Sequence, residues 1–112
     1  MLRPPGRDGE RTALFRFAAD FPGFRGHFPA NPVLPGICLV QAFVVAAESR
    51  RGFPLRLHRI RSARFVAPAG PGDVIDVAWE EHELGGGQVA LSGRATRAGE
   101  RVAEASLIVG VS

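Results

Sequence analysis

Ile37-Cys38-Leu39-Val40-Gln41-Ala42-Phe43-Val44-Val45-Ala46-Ala47-Glu48 holds a single polar group, Gln41, before its closing glutamate. Pro35 and Gly36 before it suit a helix start. Arg50, Arg51 and Gly52 after it suit a helix end, through the helix dipole and the left-handed cap that glycine accepts. The spacing therefore predicts a helix over Ile37–Arg51. A helix that is apolar on every side should be buried on every side. This one is too short for the roughly 18 apolar residues of a membrane span, so the rest of the chain must wrap it. That requirement decides the fold.

The flanking sequence supplies strands. Thr12 to Asp20 alternates, with Ala13, Phe15 and Phe17 on one side and Leu14 as the exception. Beyond the helix, Leu55–Val66, Asp73–Leu84, Gln88–Arg97 and Val102–Val111 each show strand-like alternation or apolar enrichment. Gly85-Gly86-Gly87 and Ala98-Gly99-Glu100 read as hairpin connections, and Pro68–Gly72 as a turn. The expected order is one strand, a buried central helix, then an antiparallel meander of four strands. The class is α+β.

Composition bounds the function. The 112 residues fit one core. Residues 1–10, polar and rich in Pro and Gly, are read as a flexible N-terminus, and 11–112 as the domain. All 14 basic residues are Arg, yet the net charge is only +3. Charges interleave, as in Glu80-Glu81-His82-Glu83 beside Arg94 and Arg97, and no basic stripe of a nucleic-acid binder forms. The densest basic stretch, Arg50, Arg51, Arg56, Arg59, Arg61 and Arg64, reads as a solvated strand face, or as a landing surface for an acidic partner. The lone Cys38 excludes an internal disulfide and reads as an inert core residue. Neither an apolar leader nor a spanning run occurs, so a cytoplasmic protein is expected. His58 and His82 have no partner at ligand spacing and read as exposed strand positions, and Trp79 as a core aromatic.

Phe21-Pro22-Gly23-Phe24 opens a Pro/Gly segment that runs to Gly36 and contains Pro22, Pro29, Pro32 and Pro35. It can be neither helix nor central strand. Its Phe21, Phe24, Phe28, Val33 and Leu34 make it too apolar for a solvated connector, which marks it as packed and functional.

Within it, Gly26-His27-Phe28-Pro29 followed by Asn31-Pro32-Val33-Leu34-Pro35-Gly36 resembles the active-site motif of bacterial 3-hydroxyacyl-acyl-carrier-protein dehydratases. These are hotdog proteins, in which an antiparallel sheet wraps one long central helix. Ala63–Asp73, Gly93-Arg94-Ala95 and Val102–Ala105 resemble further landmarks of the family, so the resemblance covers roughly residues 12–112. It implies an acyl thioester substrate carried on acyl carrier protein or coenzyme A, in fatty acid or polyketide-type metabolism. No cofactor or metal is implied. It also implies a dimer whose sites span the interface, either a homodimer or a heterodimer with a paralogue.

The family pairs the motif's His with an acidic residue fourteen positions later. Here the first is His27 and the second position is Gln41. Ala30 also stands where the family often has Gly. By the resemblance, His27 removes the C2 proton, and the Gly36 N–H with the helix dipole stabilises the thioester oxygen. Phe28, Val33, Leu34, Pro35 and Ile37 would contact the acyl chain. Gln41 can orient a hydroxyl but has no proton to release near neutral pH. Glu48 lies seven residues on, about 10 Å along the helix, too far to substitute. Asp20 cannot be placed from sequence. His27 could instead be structural, and Gln41 could be a buried amide that satisfies backbone groups. Three functions remain open: a dehydratase with an atypical site, a non-catalytic or helper subunit of a heterodimer, and a thioesterase.

Overall fold

The computed structural model describes residues 11–22 and 34–111. Its elements are β1 (Thr12–Arg16), α1 (Gly36–Arg51), β2 (Arg56–Phe65), β3 (Val74–Gly85), β4 (Gln88–Arg97) and β5 (Glu100–Gly110). The strands form one antiparallel sheet in the order β1-β3-β4-β5-β2. With the single long helix packed on one face, this is the hotdog arrangement.

The expected meander needs correction. β3, β4 and β5 do form one, but β2 joins β5 at the far edge instead of pairing with β3. The two hairpins explain the central strands. Gly86 and Gly87 have φ of 63° and 78°, and Ala98 and Gly99 have φ of 51° and 82°. Two consecutive positive φ values give the turn twist that suits adjacent antiparallel strands. Nothing comparable ties β2 to β3.

Alternation aims one side of each central strand at α1. Ile75, Val77, Leu91, Leu107 and Val109 are fully buried there, together with Val40 and Phe43 of the helix. Each such side chain stabilises the fold by about 1.5–3 kcal/mol through burial. Phe43 seats against Gly93, where an added Cβ would lie 2.7 Å from two of its ring atoms. At the helix end Gly52 adopts φ 82° and its N–H donates to the Glu48 carbonyl, the cap foreseen for it.

One face of the helix departs from expectation. Ile37 is 50% and Val45 43% exposed, and Gln41 between them is also exposed. Spaced by four residues, they form a single stripe turned away from the sheet. The reason is geometric: one sheet covers one side of a cylinder, and the described residues form one sheet.

Candidate functional site at the start of the central helix

The start of α1 is held by a backbone bond across the fold. The Leu34 N–H donates to the Ala69 carbonyl at 2.7 Å, which ties the approach to the helix to the turn after β2. Pro35 takes the N-cap position with φ −59°, and no side chain caps the helix. The Cys38 N–H donates to the Pro35 carbonyl at 3.0 Å, which leaves the Gly36 and Ile37 N–H groups without an acceptor among the described residues, and the dipole adds partial positive charge there. Gly36 opens the helix beneath the ring of Phe65. A Cβ at Gly36 would lie 2.6–2.8 Å from three atoms of that ring, so only glycine lets the two meet this closely.

Beside this contact lies a groove of about 300 Å³, lined by Leu34, Gly36, Leu39, Phe65 and the turn Val66–Ala69. Its volume is at the low end for a small-molecule site. The walls are braced. Val66 and Ala67 both donate to the Val102 carbonyl, at 2.8 and 3.3 Å. Arg97 donates to the Pro68 carbonyl and to Asp73, whose carboxylate accepts from the Gly70 N–H at 2.8 Å. Arg97 and Asp73 thus hold the turn that presents Ala69 to Leu34. Sequence reasoning missed both roles. Gly70-x-x-Asp73 carried a local turn signal; a guanidinium on a backbone carbonyl 29 residues away carried none.

The predicted site residues separate into two groups. Leu34 and Gly36 line the groove, and Pro35 adjoins them. Ile37, expected to touch the acyl chain, sits on the outward stripe and is 50% exposed. Gln41 shares that stripe and is exposed on the single chain. His27, Phe28 and Val33 lie outside the described residues, as do Phe24 and Ala30. The Glu48 carboxylate accepts from the Leu55 N–H at 2.8 Å and is occupied structurally. Asp20, His58 and His82 are exposed. Cys38 is half-buried and burial pushes its thiol pKa up, which keeps it protonated and inert. A larger depression of about 580 Å³, over Ser62, Ser92, Arg94 and Ser106, contains none of the predicted residues.

The other end of α1 is a charge cluster. Glu81, with a side chain only 3% exposed, receives Arg51 at 2.8 Å, Arg11 at 3.3 Å, Arg50 at 3.4 Å and the Trp79 indole N–H at 3.0 Å. Burial alone would raise its pKa. Hydrogen bonds from Arg51 and Trp79, with the charges of Arg51 and Arg50, outweigh burial and hold it below the usual glutamate range. The acidic run Glu80–Glu83 thus finds its ion-pair partners in Arg11, Arg50 and Arg51.

Comparison with known proteins adds the remaining information. The model of the ApeI-like family, described as ApeI dehydratase, matches residues 6–101. A 3-hydroxyacyl-[acyl-carrier-protein] dehydratase FabZ of Thermus thermophilus is 38% identical over 105 residues, covering 85% of this chain and 72% of that protein. The FabZ of Syntrophotalea carbinolica is 34% identical over 95 residues, 77% of this chain, and the match spans 64% of its length. Among solved structures, the dehydratase heterocomplex ApeI:P from Xenorhabdus doucetiae superposes with a TM-score of 0.76. It covers 94% of this chain and 92% of that one at 19% identity, a likeness of fold. Among the described residues no helix is long and apolar enough to cross a membrane.

Proposed function

The chain belongs to the ApeI-like dehydratase family, and on that premise we propose that residues 11–112 act as one hotdog domain on 3-hydroxyacyl thioesters, at a site completed by a second subunit. The family match over residues 6–101 carries this reading. The groove at Gly36 supports it as the place where an acyl chain meets free helix N–H groups.

In this reading His27 takes the C2 proton while the thioester oxygen gains charge against the Gly36 N–H. The C3–O bond then breaks, a C2=C3 double bond forms, and the hydroxyl leaves as water with the proton that His27 returns. Gln41 hydrogen-bonds the hydroxyl without protonating it. Its position on the outward stripe supports a site shared across subunits, because a residue facing away from its own sheet can face a partner's groove. The same observation favours a second reading, in which this chain is the helper subunit and a carboxylate-bearing paralogue supplies the acid. Hydrolysis is not proposed: Glu48 and Glu81, on and against α1, are both committed to structural hydrogen bonds. Whether the acyl group arrives on a carrier protein or on coenzyme A is a matter for the same assay.

The test is enoyl-thioester formation from 3-hydroxyacyl thioesters of both kinds. Gln41→Glu should raise the rate by about 100-fold or more, the usual worth of a general acid. An unchanged rate would mean the pocket serves other chemistry. Turnover by the parent chain no faster than by His27→Ala would leave the helper reading in place of the catalytic one.

A further inference from the structure

Arg97 closes β4 on the same side as Leu91 and Ala95, which are buried against α1. Its side chain, 31% exposed, therefore reaches over the rim of the core. A guanidinium partly withdrawn from water needs acceptors. One nitrogen, Nη1, makes both bonds: it donates to the Pro68 carbonyl and, at 3.3 Å, to the Asp73 carboxylate.

Those acceptors control two neighbouring peptide planes. Peptide units are rigid, so a bond to either end of one fixes both ends. The Pro68–Ala69 unit is held by Arg97 at its carbonyl. The Ala69–Gly70 unit is held at its N–H, which donates to Asp73 at 2.8 Å, and Asp73 is itself held by Arg97. The other end of that second unit is the Ala69 carbonyl, which accepts the Leu34 N–H at 2.7 Å. Two residues beyond Leu34 stands Gly36, the first residue of α1. Backbone bonds fasten the flanks of the turn, Val66 and Ala67 to the Val102 carbonyl, Gly72 to the Phe17 carbonyl at 3.0 Å, and Asp73 back to the Gly70 carbonyl at 3.2 Å. At the crest, it is Arg97 that ties the turn to the sheet.

We propose that Arg97 is a positioning residue: it orients the Ala69–Gly70 peptide plane and, through the Leu34 bond, sets where the Gly36 N–H points. This rests on the reading that the Gly36 N–H receives the thioester oxygen. Arg97 does not line the groove, so it acts on the donor's place and not on the acyl chain. A part-exposed ion pair adds little to stability. A displacement of about 1 Å near the reacting atoms, by contrast, can cost about 100-fold in rate. Loss of Arg97 should therefore register in turnover and leave the unfolding midpoint nearly where it was.

The experiment compares the full chain with Arg97→Met, which keeps the apolar stem and removes every donor, and with Arg97→Lys. Because a single nitrogen makes both bonds, a lysine ammonium can take its place, although on a shorter stem. Arg101→Gln, which breaks only the ion pair with Glu104, is the control. Amide hydrogen exchange by NMR should be about tenfold faster at Leu34 in Arg97→Met, with the Gly36 amide resonance displaced. With a 3-hydroxyacyl thioester, kcat should fall by about 10- to 100-fold while KM stays within about threefold. Arg97→Lys should recover most of both losses, and Arg101→Gln should show neither. Unchanged exchange at Leu34 together with unchanged kcat would overturn the proposal. So would an effect on KM alone, a lysine variant as impaired as the methionine one, or a urea midpoint that falls in step with the rate. An inactive parent chain whose Leu34 exchange still rises in Arg97→Met and recovers in Arg97→Lys would count against the dehydratase reading alone. An active parent chain indifferent to Arg97 would remove the positioning role and leave that reading intact.

Discussion

Two glycine–phenylalanine contacts bracket the helix, and they differ in what surrounds the ring. At Gly93 the ring belongs to Phe43, which is 1% exposed and locked between helix and sheet. At Gly36 it belongs to Phe65, half exposed on the edge strand. The approach is equally close in both places. One contact fixes the height of the helix above the sheet; the other sets a half-exposed ring over the helix start. Glycine is therefore a packing requirement in the core and room for a half-exposed ring at the candidate site.

The widest test of that contrast removes the anchor that holds the helix in place. Glu81→Gln strips the charge from the cluster of Arg11, Arg50 and Arg51 and should cost about 3 kcal/mol in urea unfolding, the low end for losing one member of a buried pair. The pH dependence has a definite sign. Because the folded-state pKa of Glu81 is depressed, its contribution is fully present above the unfolded glutamate pKa of about 4.3 and is lost as pH falls through the folded value. Stability of the parent chain should fall across that acid window more steeply than that of the variant. Parallel curves would remove the cluster from the list of anchors.

Gly93→Ala comes next. Phe43 has nowhere to go, so overpacking should cost about 2 kcal/mol. Gly36→Ala is the smallest effect. A Cβ there meets the far end of a half-exposed ring, and alanine's better helix propensity offsets the displacement, so the unfolding midpoint should move by less than about 1 kcal/mol. Combining it with Phe65→Ala should abolish even that. If Gly36→Ala costs as much as Gly93→Ala, Phe65 is locked too and the contrast fails.

Much of this architecture was legible in the residues. The helix begins one residue before the expected Ile37, and β4 matches the expected Gln88–Arg97 at both ends. Alternation named Ala13, Phe15, Leu91, Leu107 and Val109 as inward. Strand order was hidden because alternation states which face a residue takes, not which neighbour it has. The exposed stripe was hidden because Ile37 and Val45 carry the same side chains whether they meet their own sheet or another surface. Glu81 could have been found: it continues the inward parity of Val77 and Trp79 past the end of the apolar run. For the site, the motif indicated the helix start and Gly36, and the groove lies there. Nothing in the spacing foretold Arg97, because its main acceptor is a backbone carbonyl.

The strand order also sets a timetable. Residues 36–51 leave the ribosome before β3, β4 and β5, which bury them, have been made. The nascent chain therefore carries a helix with no polar side until about sixty more residues have followed. The central hairpins close locally through two-residue turns, so cover arrives quickly once their sequence is available, whereas β2 must wait for β5, the last strand, to emerge. For that interval the growing chain resembles a substrate for chaperones more than a folded domain.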